Sequence, residues 1–120
     1  MESRFSNIWG NRFWHWQKSD IHCWKHMHQK GNGPSVCLDV KTVTGKSRPE
    51  LIIQAGGNCG MFPIEYLRWF NRVITFEPDP INFNCLIKNC NAPNELTAVM
   101  GVLGNNAGEM VPVRRSKKNI

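Results

Sequence analysis

The 120-residue sequence predicts an α/β protein carrying part of a doubly wound parallel sheet, and three observations lead there. From Leu51 onward, short apolar runs alternate with amphipathic stretches in the order β-α-β-α-β. Three glycines sit where the first run hands over to the first amphipathic stretch, in Gln54-Ala55-Gly56-Gly57-Asn58-Cys59-Gly60. A carboxylate, Glu77, follows the second run. Parallel strands need crossover connections that close right-handed, so this order lays helices on a sheet whose strands all point one way.

Each element has its own local reason. Leu51-Ile52-Ile53 reads as a short apolar strand. Ile64, Leu67 and Trp69-Phe70 supply the apolar face of a helix whose first turn accommodates Pro63. Arg72-Val73-Ile74-Thr75-Phe76 is a β-branched strand ending at Glu77-Pro78. Asp79-Pro80 pairs an N-cap residue with proline at the first helical position, and Phe83, Leu86, Ile87 and Cys90 follow at helical spacing. Asn91 to Glu95 breaks that helix, and Leu96 to Met100 reads as the third strand. Gly104 to Gly108 turns the chain, and Glu109 to Val113 is expected to return as a hairpin strand.

Before Leu51 the chain is polar, rich in Trp and His, and shows little periodic order. A short helix around Ile21 to Gln29 and a strand at Val36 to Val40 are expected there, between loops at Gly31 to Pro34 and Gly45 to Pro49. The chain thus divides into an N-terminal extension (1–48), a half-domain (49–113) and a basic tail (114–120).

Composition narrows the function class. An apolar fraction of 41% and a charged fraction of 20% are those of an ordinary globular chain. No run approaches the roughly 18 apolar residues of a membrane span, and Met1 to Phe5 lacks the charged start of an export leader, so a cytoplasmic location is expected. Five cysteines are an odd number without framework spacing and are expected to stay thiols in a reducing compartment. The net charge of +6 invites a nucleic-acid reading, but the basic residues are scattered and the one dense run, Arg114 to Lys118, reads as a solvated tail. Nucleic acid is therefore a weak alternative; a salt titration of oligonucleotide binding would expose it.

In open α/β sheets, ligands gather at the carboxyl ends of the strands, which places a site on the glycine stretch. Gly56, Gly57 and Gly60 permit unusual dihedrals and leave bare backbone for a ligand to approach. The spacing matches neither the dinucleotide fingerprint nor a P-loop. Glu77, ending the neighbouring strand, is placed to accept both hydroxyls of a ribose. Glycine loop and terminal acid together point to a nucleoside.

These stretches resemble the FkbM-type, class I S-adenosylmethionine-dependent methyltransferases. One motif of that family has the pattern Asp-x-Gly-Ala-Asn-x-Gly after a strand, and this chain has Gln54 to Gly60. The other has the pattern Phe-Glu-Pro-Asp/Asn-Pro at a strand end, then a helix with an aromatic and Leu-x-x-Asn. Phe76-Glu77-Pro78-Asp79-Pro80, Asn82-Phe83 and Leu86-Ile87-Lys88-Asn89 are similar to it. The resemblance covers residues 50 to about 110 and implies an incomplete Rossmann-like, class I methyltransferase fold that transfers methyl to a hydroxyl of a small molecule or sugar.

It further implies that Gln54, Gly56, Gly57, Asn58 and Gly60 frame the methionine and ribose of S-adenosylmethionine. Glu77 would hold the ribose hydroxyls, and Pro78 and Asp79 would border the adenine. Position 54 departs from the family, with glutamine where it has an acid. The acidic segment that the family carries on its fourth strand has no counterpart here, so the cofactor half is expected without the acceptor half. The first strand would then be an exposed apolar edge, covered by the N-terminal segment, by a second copy or by a partner chain, or left marginally stable. A non-catalytic or vestigial nucleoside-binding module is the main alternative, and no residue reads as a general base.

Other clusters have plainer readings. His22, Cys23, His26 and His28 read as a polar helix surface rather than a metal site. Trp9, Phe13, Trp14, Trp16 and Trp24 read as packing onto their own domain rather than a stacking platform for bases. Cys59 reads as a small loop-filling residue, and Lys88-Asn89 as a solvated helix end.

Overall fold

Alternating apolar residues with β-branched neighbours build the sheet, and the computed structural model describes residues 4–8, 10–27, 44–110 and 112. The chain runs β1 (Arg4–Ile8), β2 (Asn11–His15), α1 (Lys18–Met27), β3 (Leu51–Ala55), α2 (Met61–Trp69), β4 (Arg72–Phe76), α3 (Pro80–Asn89) and β5 (Leu96–Val99). Strands β3, β4 and β5 form a parallel sheet in that order, with Ile53 opposite Ile74 and Ile74 opposite Thr97. The protein is α/β, as its β-α-β-α-β order predicts.

Period-2 alternation divides the sheet into two faces. Val73, Thr75 and Leu96 are buried, and Val73 and Leu96 share a core with Leu86 and Cys90 of the α3 segment and, at its margin, Ile64, Tyr66 and Leu67 of α2. On the other face Leu51 and Ile53 are 44% and 56% exposed, and Val99 is exposed too. Among the described residues only β4 pairs with β3, so within them β3 is an edge strand of the sheet. The described N-terminal elements pack on the helices instead of covering it.

Helix α3 follows its signals closely. Asp79 is the N-cap, its carboxylate accepting from Ile81 and Asn82 N–H at 2.8 and 3.2 Å, with Pro80 in the first turn. At its end the Cys90 N–H donates to Leu86 O. The apolar face is not quite the expected one, because Ile87 is 45% exposed while Cys85 is fully buried. The reason is a second contact surface: α3 packs its Asn82, Cys85 and Asn89 flank against β2 and the core that β2 brings. Helix α2 is ended by Phe70, and Arg48 donates to the carbonyls of Leu67, Arg68 and Phe70, placing a cation at the negative end of that helix.

The N-terminal segment corrects the expectation of little order. Strands β1 and β2 form an antiparallel hairpin, Phe5 opposite Trp14 and Ser6 opposite Phe13, with Gly10 at φ 83 in the turn. The helix expected at Ile21 to Gln29 begins three residues earlier, at Lys18. Phe13, Ile8 and Trp24 join Cys59, Met61 and Cys85 in one core cluster, and Phe13 stacks on Trp24 at 4.2 Å. These aromatics therefore pack inward, as expected. Glu109, Met110 and Pro112 are not in a strand, so the return strand expected at Glu109 to Val113 does not form at the described positions; Val111 and Val113 lie outside them. The Val36 to Val40 strand also lies outside them.

Candidate functional site

The glycine loop leaves β3 at Ala55 and is held against the end of β4 by two amides, Gly56 N–H and Gly57 N–H, which both donate to Phe76 O at 2.8 and 2.9 Å. This fixes the loop at the carboxyl ends of the strands. Asn58 then adopts φ 51, and its backbone N–H donates to Glu77 Oε1 at 2.7 Å. Glu77 Oε2 accepts from Asp79 N–H at 2.8 Å. A carboxylate 6% exposed is thereby placed between the two motif stretches, each oxygen satisfied by one backbone donor.

The three glycines have different reasons. A methyl on Gly57 would overlap Thr75 Oγ1 and approach Leu86 Cδ1 to 2.5 Å. On Gly60, at φ 96, it would come within 2.7 Å of Cys90 Sγ. Protein atoms already fill the space beside both, so the close approach of the loop to β4 and to the α3 segment requires glycine there without a ligand. Gly56 differs: its φ of +84 demands glycine, and no atom of the described residues lies within 4 Å of an added methyl. Of the three loop glycines, Gly56 alone has open space beside its Cα among the described residues.

Of the remaining candidates, Gln54 Oε1 accepts from Thr75 Oγ1 at 3.0 Å. Asp79 caps α3 and is buried, and Pro78 is half-buried beside it. Cys59 is fully buried in the core and burial pushes its thiol well above the ordinary range, consistent with a filling residue rather than a nucleophile. His22 and Cys23 are exposed. Among the described residues no three His, Cys, Asp or Glu side chains gather in a way that holds a metal.

Two residues escaped sequence reasoning. Asn89, read as part of a solvated end, is half-buried and bridges three segments: Oδ1 accepts from Trp14 N–H, and Nδ2 donates to Trp14 O and Cys59 O. Its neighbour Lys88 lies over the Trp14 ring at 4.0 Å. Asp20 on α1 is 4% exposed and hydrogen-bonded to the Asn58 side chain of the loop and to the Gln17 backbone. The only available signal was its place three residues after Gln17, where a carboxylate closes a capping box. A separate cleft of about 230 Å³ lies between the end of α3 and β5, lined by Ile87, Cys90, Pro93, Leu96 and Ala98, none of them in the glycine loop.

No helix among the described residues is long and apolar enough to cross a membrane. In comparisons with family models, curated proteins and solved structures, no match to this chain was found.

Proposed function

We propose that residues 49–113 are the cofactor-binding part of an S-adenosylmethionine-dependent methyltransferase of FkbM type, acting on a hydroxyl of a small molecule or sugar. The supporting observation is the 2.7 Å bond from Asn58 N–H to Glu77, which joins the two motif stretches around one buried carboxylate at the strand ends. The residues suit the group. A carboxylate offers about four acceptor positions, and the two backbone donors leave Glu77 room for ribose hydroxyls. Gly56 offers backbone that a ligand can approach. Bound S-adenosylmethionine would supply an electrophilic methyl on a sulfonium, leaving the protein to align the acceptor. A partial Rossmann-like, class I methyltransferase sheet is part of this reading. So is a homo-oligomer or partner chain over the exposed face of β3, since Leu51 and Ile53 lie bare.

A specific observation favours a second reading. Glu77 is satisfied inside its own loop, and Gly57 and Gly60 are explained by packing, as in a vestigial module that keeps the fold without catalysis. Calorimetric titration of S-adenosylmethionine into the chain and into Glu77→Ala separates the two. Saturable binding that the variant loses supports the methyltransferase reading; a folded chain that binds nothing supports the vestigial one.

A further inference from the structure

We propose that Asp20 supplies the carboxylate that the glycine loop lacks, and that its oxygen Oδ2 receives the ammonium group of an amino-acid-bearing nucleoside. This rests on the nucleoside reading of the Glu77 site. The loop begins with an amide, because Gln54 stands where the resembled motif carries an acid, and Gln54 Oε1 is engaged by Thr75. A cationic ligand group therefore finds no charge at position 54.

The N-terminal segment brings one. Asp20 occupies the first turn of α1, where its backbone N–H donates to Gln17 O at 3.3 Å. Its carboxylate accepts from the Gln17 backbone and from the Asn58 side chain, so it lies against the same loop residue whose N–H holds Glu77. Its negative charge also reaches Cys59 and Cys85, where it helps to raise both thiols.

Helix capping accounts for only part of this arrangement. Asp20 is 4% exposed, yet its Oδ2 has no hydrogen-bond partner among the described residues. Leaving a buried acceptor unsatisfied is costly, and a charged one more so. The donor best suited to a lone carboxylate oxygen is a cationic N–H, which makes a shorter and stronger bond than a neutral donor. A ligand carrying both a ribose and an ammonium would engage Glu77 and Asp20 from either side of Asn58.

The test pairs two ligands, S-adenosylmethionine and 5′-methylthioadenosine, which keeps the nucleoside and lacks the amino-acid part. Each is titrated into the unaltered chain, Asp20→Asn and Glu77→Ala. Asp20→Asn is expected to weaken S-adenosylmethionine roughly 10- to 100-fold, the loss of one charged hydrogen bond, and to leave methylthioadenosine within about twofold. Glu77→Ala is expected to weaken both. Equal effects of Asp20→Asn on the two ligands would mean that Asp20 only supports the loop, and no effect on either would remove it from the site; both overturn the proposal. An unaltered chain that binds the two ligands equally overturns the ammonium contact and leaves the nucleoside site standing, without recourse to any variant. A chain that binds neither overturns the nucleoside reading, and this proposal with it.

Discussion

The side-chain amide of Asn89 brackets the peptide of Trp14, accepting from its N–H at 2.7 Å and donating to its carbonyl at 2.8 Å. The same amide nitrogen donates to Cys59 O at 2.7 Å. One side chain on α3 therefore ties the N-terminal hairpin to the glycine loop, across 75 residues of sequence to Trp14. The hairpin is docked as part of the core.

Removing that amide should undock it. Asn89→Ala leaves three part-buried backbone groups without their partner, and a loss of about 2–4 kcal/mol is expected from the cost of unsatisfied polar groups. Urea denaturation measures it. A midpoint unchanged from the parent would mean that the hairpin contributes nothing to the cooperative unit.

Glycine substitutions should separate packing from binding. Gly57→Ala forces a methyl into Thr75 and Leu86 and should cost about 1–3 kcal/mol, the usual range for overpacking. Gly56→Ala meets no atom of the described residues, so its cost should be limited to the backbone strain at φ +84, about 1–2 kcal/mol. Nucleoside affinity should fall more for Gly56→Ala than for Gly57→Ala once both are compared under folded conditions. The reverse order would place the ligand elsewhere on the loop.

Much of the sheet was legible because its signals are local. Arg72 to Phe76 is the observed strand, and Asp79-Pro80 cap and start α3 as their chemistry dictates. The hairpin was not legible because its buried residues are mixed in character: Phe13 and His15 point into the core from a strand that also carries Asn11 and Arg12. Its only short-range marker is Gly10 after Trp9, a brief turn signal without flanking apolar alternation. Asn89 was misread for a related reason, since an amide at a helix end gives no hint of partners 75 residues away. For the candidate site, the sequence predicted that Glu77 and the loop meet at the strand ends, as they do, but glycine identity alone does not distinguish a ligand from a neighbouring side chain. Thr75, Leu86 and Cys90 decide that for Gly57 and Gly60.

Thiol chemistry should follow burial. Cys23 is exposed, whereas Cys59, Cys85 and Cys90 are buried. Burial pushes Cys85 up to about 11 and Cys90 up to about 12, and raises Cys59 further still. The thiolate is the reactive form, so mild alkylation at neutral pH followed by peptide mass mapping should modify Cys23 and spare those three until the chain unfolds. Early labelling of Cys59 in the native protein would show that the loop opens.

Acid stability should reflect two buried groups with opposite signs. Burial lowers the pKa of His15 below 6.5, with the Arg4 charge adding and a Gln17 backbone contact opposing. The unfolded chain then takes up this proton first as pH falls, so stability present above 6.5 is lost as pH drops through the lower folded value. Burial raises Asp20 above 3.8, against the contributions of Asn58 and Gln17. Its contribution is full below 3.8 and is lost as pH rises through the raised folded value. Melting temperatures between roughly pH 7 and 4 should therefore carry a falling contribution from His15 and, toward the acid end, an opposing one from Asp20. His15→Phe keeps a ring against Phe13, which stacks on the histidine at 5.8 Å, and should flatten the first limb. Asp20→Asn should remove the offset and leave the first limb intact. A profile unchanged in both variants would show that neither group changes its proton affinity on folding.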